Sequence, residues 1–290
     1  MRYDRLFTKL FCKPLLLESG MRVGYERLLL SMINGESAGA QELAIADAEE
    51  RQPRFAARKM DPVRADKFTN NILEIDGPTA TIHIDGAIDK HLSSLDRLCF
   101  DATDLNDVDG AIARVASDTS VKNVLFAINS PGGGVNGVPE TAGRIDALGK
   151  KKNTMALIDG MGCSAACWLA CTCHQVLMTP SSMGGSVGVY LALLDESRWL
   201  DAQGVRIEMI KDGKLKGAGA SFKPLSDDER AHFQAMVNQI GTMFRNDVTA
   251  HRPGVSMDSM QGQALFGQSA VDAGLVDGLV SDRAAALAQF

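Results

Sequence analysis

Three stretches of the chain hold residue types that hydrolytic chemistry needs. In "IDGMGCSAACWLA" (158–170), Ser164 is the single serine among small and apolar residues, with no acid or histidine beside it. A hydroxyl entering a helix there is either an N-cap or a nucleophile whose base lies elsewhere in the chain. In "INSPGGGV" (128–135), an apolar run ends in Asn-Ser-Pro and passes into three glycines. Glycine lets the backbone take positive φ and lets a ligand approach closely, and its N–H groups can cradle an anion or an oxyanion. The same run also reads as a tight strand–helix turn. It is not a nucleotide loop, since neither G-x-G-x-x-G nor G-K-[ST] is present. In "KDGKLKGAGASFKPLSDDE" (211–229) stand Lys211, Lys214, Lys216 and Lys223. Surface lysines in a turn are ordinarily solvated charges. A lysine becomes a general base only when neutral, which requires desolvation. Lowering a lysine pKa by about three units costs about 4 kcal/mol. The small residues of "GAGA" permit close packing around Lys216. A histidine base fits less well: His174, ten residues past Ser164, is roughly 15 Å away on a helix. His83, His232 and His251 fall in a predicted strand or a long predicted helix, where structural or surface roles are expected.

These residues need a scaffold, and the periodicity supplies one. "TATIHIDGAI" (79–88), "VKNVLFAI" (121–128), "TMALID" (154–159), "QVLMTP" (175–180), "SVGVYLAL" (186–193) and "VRIEMI" (205–210) read as strands. Between them, "DLNDVDGAIARVASD" (104–118), "VPETAGRIDAL" (138–148), "SAACWLACTC" (164–173) and "DESRWLDAQG" (195–204) read as helices. A long helix is predicted over 225–252, with Ser226 as N-cap and Asp227, Asp228 and Glu229 in its first turn. Strands alternating with helices predict an α/β fold with a mostly parallel sheet and right-handed crossovers. The glycine run then lies at a strand's C-terminal end, where such sheets bind ligands. Residues 1–70 are polar, Ala-rich and irregular, and read as an N-terminal arm, partly helical or flexible; residues 71–290 read as one domain of catalytic size.

Composition narrows the partners. The chain has 290 residues, a formal charge of −6, 45% hydrophobic and 23% charged residues. Mild acidity disfavours nucleic acid, whose phosphates call for a basic surface. No apolar run approaches the roughly 20 residues of a membrane span. The basic, partly apolar N-terminus is interrupted by Asp4, Lys9 and Lys13 and lacks a small-residue cleavage site, which argues against a secretory signal. Of six cysteines, Cys163, Cys167 and Cys171 fall on one helical stripe with Cys173 close by. They read as buried packing residues; a zinc site with Cys173 and His174 would lack paired C-x2-C spacing. A reducing, cytoplasmic setting is the expectation.

Five stretches in order, "INSPGGGV", "DGMGCSAACWLA", "GGSVGV" (184–189), "IKDGKLKGAGASFKPLSDDER" and "LFGQSAVDAGLVDGL" (265–279), resemble the serine peptidases of the signal peptide peptidase A type. Over roughly residues 75–282 the likeness is greatest to their phage branch, the head-maturation proteases of lambda-like phages. "CSA" around the serine favours that branch over bacterial members, which have "ASGGY". The resemblance implies a crotonase/Clp-protease-like fold, with repeated βα units around a spiral sheet, and a Ser–Lys dyad with no metal or cofactor. It implies Ser164 as nucleophile, Lys216 as general base and Ser186 as a supporting serine. The oxyanion hole would be the N–H groups of Gly133 and Ala165, with Gly132 the alternative to Gly133. It further implies an extended protein substrate such as scaffold, portal or capsid protein, and a homo-oligomeric ring, in some members sharing the dyad between neighbouring subunits. The expected place is the host cytoplasm, including the interior of a procapsid. The chain has no preceding membrane anchor and ends soon after its last motif, so a scaffold would be a separate product. Competing readings are a cytoplasmic bacterial peptide-degrading protease, a catalytically idle assembly protein of the same fold, and a crotonase-type acyl-CoA enzyme. The last uses carboxylates where this chain has serine and lysine.

Overall fold

The computed structural model describes residues 72–92 and 102–290, together with the backbone of a short strand, β1, at Leu15–Leu17. The expected arm over 1–70 otherwise lies outside the described residues. In chain order come β2 (Leu73–Asp76), β3 (Thr79–Asp85), β4 (Ile88–Asp89), β5 (Thr103–Asp104), α1 (Leu105–Ser117), β6 (Asn123–Ser130), β7 (Gly132–Gly134), α2 (Val138–Gly149) and β8 (Asn153–Cys163). Next are α3 (Ala165–Cys171), β9 (Gln175–Met178), β10 (Met183–Gly185), α4 (Ser197–Ala202), α5 (Asp227–His251), a 3₁₀ turn at Met257–Met260, β11 (Ala264–Phe266), α6 (Gly267–Asp272), β12 (Gly278–Leu279) and α7 (Arg283–Leu287).

The main sheet runs β11-β10-β8-β6-β3-β2, with β9 and β12 added beside β8. Its centre, β3-β6-β8, is parallel, as are β8-β9, β8-β10 and β9-β12. Only the flanking pairs β2-β3 and β10-β11 are antiparallel. This is the expected α/β, mostly parallel architecture. The central strands are continuous apolar runs because helices cover the sheet and leave no wet face. Ile82, Ile84, Phe126 and Ile128 are buried there. Helix α1 turns Leu105, Val108, Ile112 and Val115 inward, as their spacing predicts, and Asp104 caps it by accepting from the Asn106 N–H at 2.9 Å. A second, small sheet, β1-β7-β4-β5, carries the glycine run.

Two predicted strands are corrected. "VRIEMI" (205–210) forms no strand, and Val205, Ile207 and Ile210 are exposed. The strand expected at 186–193 is instead the segment before it, β10, and the apolar residues after Gly185 run on without a ladder beyond a single bridge at Tyr190. Strand propensity produces a strand only where an edge is offered for pairing. Among the described residues, 186–225 find such an edge only at the Tyr190 bridge.

Helix α5 begins as predicted. Ser226 and Glu229 form a reciprocal capping box. Its middle locks the fold from behind: Phe244 stacks on Trp168 with centroids 4.5 Å apart and planes 5° from parallel. The Trp168 indole N–H donates to Asp247 Oδ2 at 2.8 Å. Both rings are fully buried.

Replacing Phe244 with Ala should destabilise the protein by about 3–5 kcal/mol, read from urea unfolding, because the Trp168 face would border a cavity. Glu229 gives a pH test. The Lys223 ammonium, and after it the Ser226 N–H, hold its carboxyl down from 4.5 to about 2. A depressed carboxylate stabilises the folded state above its unfolded pKa and loses that contribution as pH falls toward the folded one. Stability should therefore drop between about pH 4.5 and 2, and Glu229→Gln should flatten that part of the profile. An unchanged profile would assign the acid loss to other groups.

Candidate active site

Strand β8 builds the site by departing from regular pairing. It stays in register with β6 to Ile158, opposite Ile128, and resumes with Gly162 opposite Ser130. Thus β8 advances four residues while β6 advances two, a bulge that bends the strand and re-aims the residues beyond it. The bulge is braced from both sides. Asn129 Oδ1 accepts the Met161 N–H at 3.1 Å, and Ser182 Oγ accepts the Gly160 N–H at 2.7 Å. Thr179 links this cluster to Asp159, its hydroxyl 3.2 Å from Asp159 Oδ1.

Past the bulge, β8 pairs with β10, Gly185 opposite Cys163. The next residue on each strand is a serine, Ser164 and Ser186, and both have positive φ, 54° and 52°. Positive φ in a residue with a side chain marks backbone strain of order 1–3 kcal/mol, and such strain concentrates at functional sites. Hydrogen bonds hold both turns. The Ser164 N–H donates to the Gly185 carbonyl at 2.7 Å, and the Ser186 N–H to the Gln263 carbonyl at 2.7 Å. Ser164 occupies the N-cap position of α3, yet its hydroxyl makes no capping hydrogen bond. The cap expected from sequence is present in place and absent in chemistry. Ser164 is 1% exposed and Ser186 7%.

Helix α3 packs against β7, which sets Gly132–Gly134 beside the helix start at Ala165. The two candidate glycines differ. The Gly132 N–H donates to the hydroxyl of fully buried Ser130 at 3.1 Å. Gly133 is pressed against β4, where a Cβ would collide with the Ile88 carbonyl. Only glycine fits there, which explains the residue type independently of any chemistry. Ser130, Asn129 and Ser182 went unread in the sequence; polar residues closing an apolar strand in "INSP" were their one visible signal.

The lysine segment lies apart. Lys211 Nζ donates to the Lys214 carbonyl at 2.8 Å, Lys214 Nζ pairs with Asp228 Oδ2 at 2.8 Å, and Lys223 Nζ pairs with Glu229 at 2.6 Å. Among the described residues, Lys216 is the lysine of the four whose ammonium has no hydrogen bond or ion pair. It stands exposed on its turn, and no hydrogen bond joins it to Ser164. One chain therefore brings together Ser164, Ser186, Ala165 and the glycines, while Lys216 stays exposed and makes no hydrogen bond to Ser164.

His174 lies past the far end of α3, where its Nδ1 accepts the Thr154 N–H at 3.3 Å. Cys163, Cys167, Cys171 and Cys173 are buried free thiols. Cys167 and Cys171 are 3.7 Å apart. Their shared hydrogen bond raises the Cys167 pKa, and burial raises that of Cys173. All four are buried packing groups.

Residues 146–289 match the family model "Peptidase family S49". The chain is 29% identical to the head-tail preconnector protein GP5 of Enterobacteria phage P21 over 283 residues, covering 96% of this chain and 55% of that protein. It is 33% identical to the capsid assembly protease C of Escherichia phage lambda over 182 residues, covering 62% of this chain and 41% of that protein. The chain thus spans about half the length of the curated relatives it matches. Among solved structures it is similar to a ClpP1 mutant from Listeria monocytogenes, with a TM-score of 0.44 and 15% identity, covering 71% of this chain and 93% of that one. Residues 146–289 are thus homologous to peptidase family S49, and phage head proteins stand among the chain's relatives.

Proposed function

We propose that the protein is a serine endopeptidase that cuts extended segments of phage head proteins, with Ser164 as nucleophile and Lys216 as general base. One observation carries this reading: Ser164 is held at φ 54° on a braced strand end with its hydroxyl uncommitted to the helix it starts. The relatives named as a head-tail preconnector protein and a capsid assembly protease support the substrate class. Lys216 is supported by elimination among the four lysines of its segment.

The base is supplied by a neighbouring copy in a homo-oligomer. Helix α5 supports this. Its Glu229 anchors the lysine turn through Lys223, and its Phe244 backs the Ser164 helix through Trp168. Those two points lie fifteen residues apart, roughly 22 Å along the axis. A lysine exposed in one chain gains the desolvation a base requires when a second chain covers it. The exposed apolar residues of 194–215, among them Trp199 and Ile210, supply surface for that contact.

Neutral Lys216 of the neighbour takes the Ser164 proton as Oγ bonds to the peptide carbonyl carbon. The N–H groups of Gly133 and Ala165 hold the oxyanion. Gly133 is preferred to Gly132, whose N–H is already taken by Ser130. The C–N bond then breaks, and the leaving amine receives the proton from the lysine. Water, deprotonated by the same lysine, hydrolyses the acyl-enzyme. Ser186, which follows Gly185 as Ser164 follows Cys163 on the paired strand, orients the incoming amine.

Ser164→Ala and Lys216→Ala should each reduce cleavage of a phage scaffold or capsid protein by roughly 10³-fold or more, with the oligomer unchanged by light scattering. Cleavage retained in Ser164→Ala rejects the nucleophile. If wild type cuts nothing while head assembly survives both substitutions, the idle assembly reading holds instead. Co-assembling the two inactive variants in equal amounts should restore about a quarter of wild-type activity, the fraction of head-to-tail contacts joining an intact serine to an intact lysine. No recovery places both groups in one chain.

A further inference from the structure

The glycine strand β7 has two sides. On one it pairs with β4, Gly133 opposite Ile88. On the other it pairs antiparallel with β1, so that Leu15 faces Gly134, Leu16 faces Gly133 and Leu17 faces Gly132. The chain's own N-terminal segment therefore lies along the strand that carries the oxyanion glycine. Three glycines offer a partner no side chains to pack against, so this pairing rests on main-chain hydrogen bonds. A ladder of that kind accepts any extended segment, and an incoming strand can displace the resident one. The resident sequence fits a strand added in this way: "LLL" is bounded by Pro14 before it and by "ESG" after it, an apolar run between residues that stop a strand.

We infer that the open edge of Gly132–Gly134 is the backbone-docking edge for peptide in this site, and that Leu15–Leu17 is its resident occupant, a built-in competitor of substrate. The inference rests on the assignment of Ser164 as nucleophile, because that assignment makes β7 the substrate side of the site. Antiparallel pairing sets the direction: peptide runs from Gly134 toward Gly132, and its carbonyl nearest Gly133 reaches the oxyanion donors. In the resident segment the residue at that position is Leu16.

Successive N–H groups of a strand point to opposite sides. The paired substitution Leu16→Pro/Leu17→Pro in the full chain therefore removes whichever one faces β7. The probe is a fluorescent synthetic peptide covering residues 13–20, titrated by anisotropy against Ser164→Ala protein, in which nothing is cut. A site mostly filled by its own segment shows an affinity reduced by the fraction of open sites. Adding the two prolines should tighten binding roughly tenfold or more and expose to hydrogen exchange whichever of the Gly133 and Gly134 amides faces β1. With Ser164 restored, the same prolines should lower KM for an added peptide substrate and leave kcat unchanged. Equal affinity with and without the prolines, or no binding to the proline variant, overturns the inference. Its failure is separable from failure of the peptidase reading. Cleavage of a head protein that is lost in Ser164→Ala upholds the peptidase even when the probe ignores β7. Probe binding that responds to the prolines in a protein that cuts nothing upholds the docking edge alone.

Discussion

The hydrogen bond from the Ser164 N–H to the Gly185 carbonyl fixes the strand end on which the candidate site depends. A serine at positive φ relaxes unless its surroundings over-determine it. Here the restraint comes from several directions. Cys163 is in register with Gly185, the Ser164 carbonyl accepts the Trp168 N–H at 2.9 Å, and Ser186 makes the matching turn on the neighbouring strand. Strand β11 backs β10 antiparallel, with Gly185 opposite Ala264. Two strands thus end side by side in two strained serines, and each strained turn stands against a paired strand that cannot shift alone.

The rest of the fold serves that restraint. The bulge in β8 lets one strand pair with β9 over its first half and with β10 over its second. Buried thiols and alanines make α3 thin enough to sit close to the sheet and the glycine strand. Trp168, the one large side chain facing α5, carries the load from behind through its stacked contact with Phe244. Small residues face the candidate site, and the large Trp168 faces α5 on the other side.

Much of this was legible in the sequence. Continuous apolar runs gave the parallel strands, 3.6-residue spacing gave α1 and α2, and Ser226 with Glu229 gave the start of α5. The site was legible as types and order: a serine at a strand–helix joint, a glycine run at a strand end, lysines after a turn. What stayed hidden depends on partners distant in the chain. The bulge arises because Asn129 and Ser182, 32 and 22 residues from Met161 and Gly160, satisfy N–H groups no local pattern reveals. The expected strands at 186–193 and 205–210 failed for the opposite reason: propensity was present and a pairing edge was not. The same segment carries the exposed Trp199 and Ile210, the surface on which the proposed contact between copies rests.

Helix α5 has a consequence beyond its packing. One end grips the lysine turn and the middle grips the serine helix, so within a chain it acts as a spacer between the two segments. If Ser164 and Lys216 act as proposed, a lone copy is a nucleophile without a base. Reactivity would then follow crowding, rising where copies accumulate and fading where they disperse.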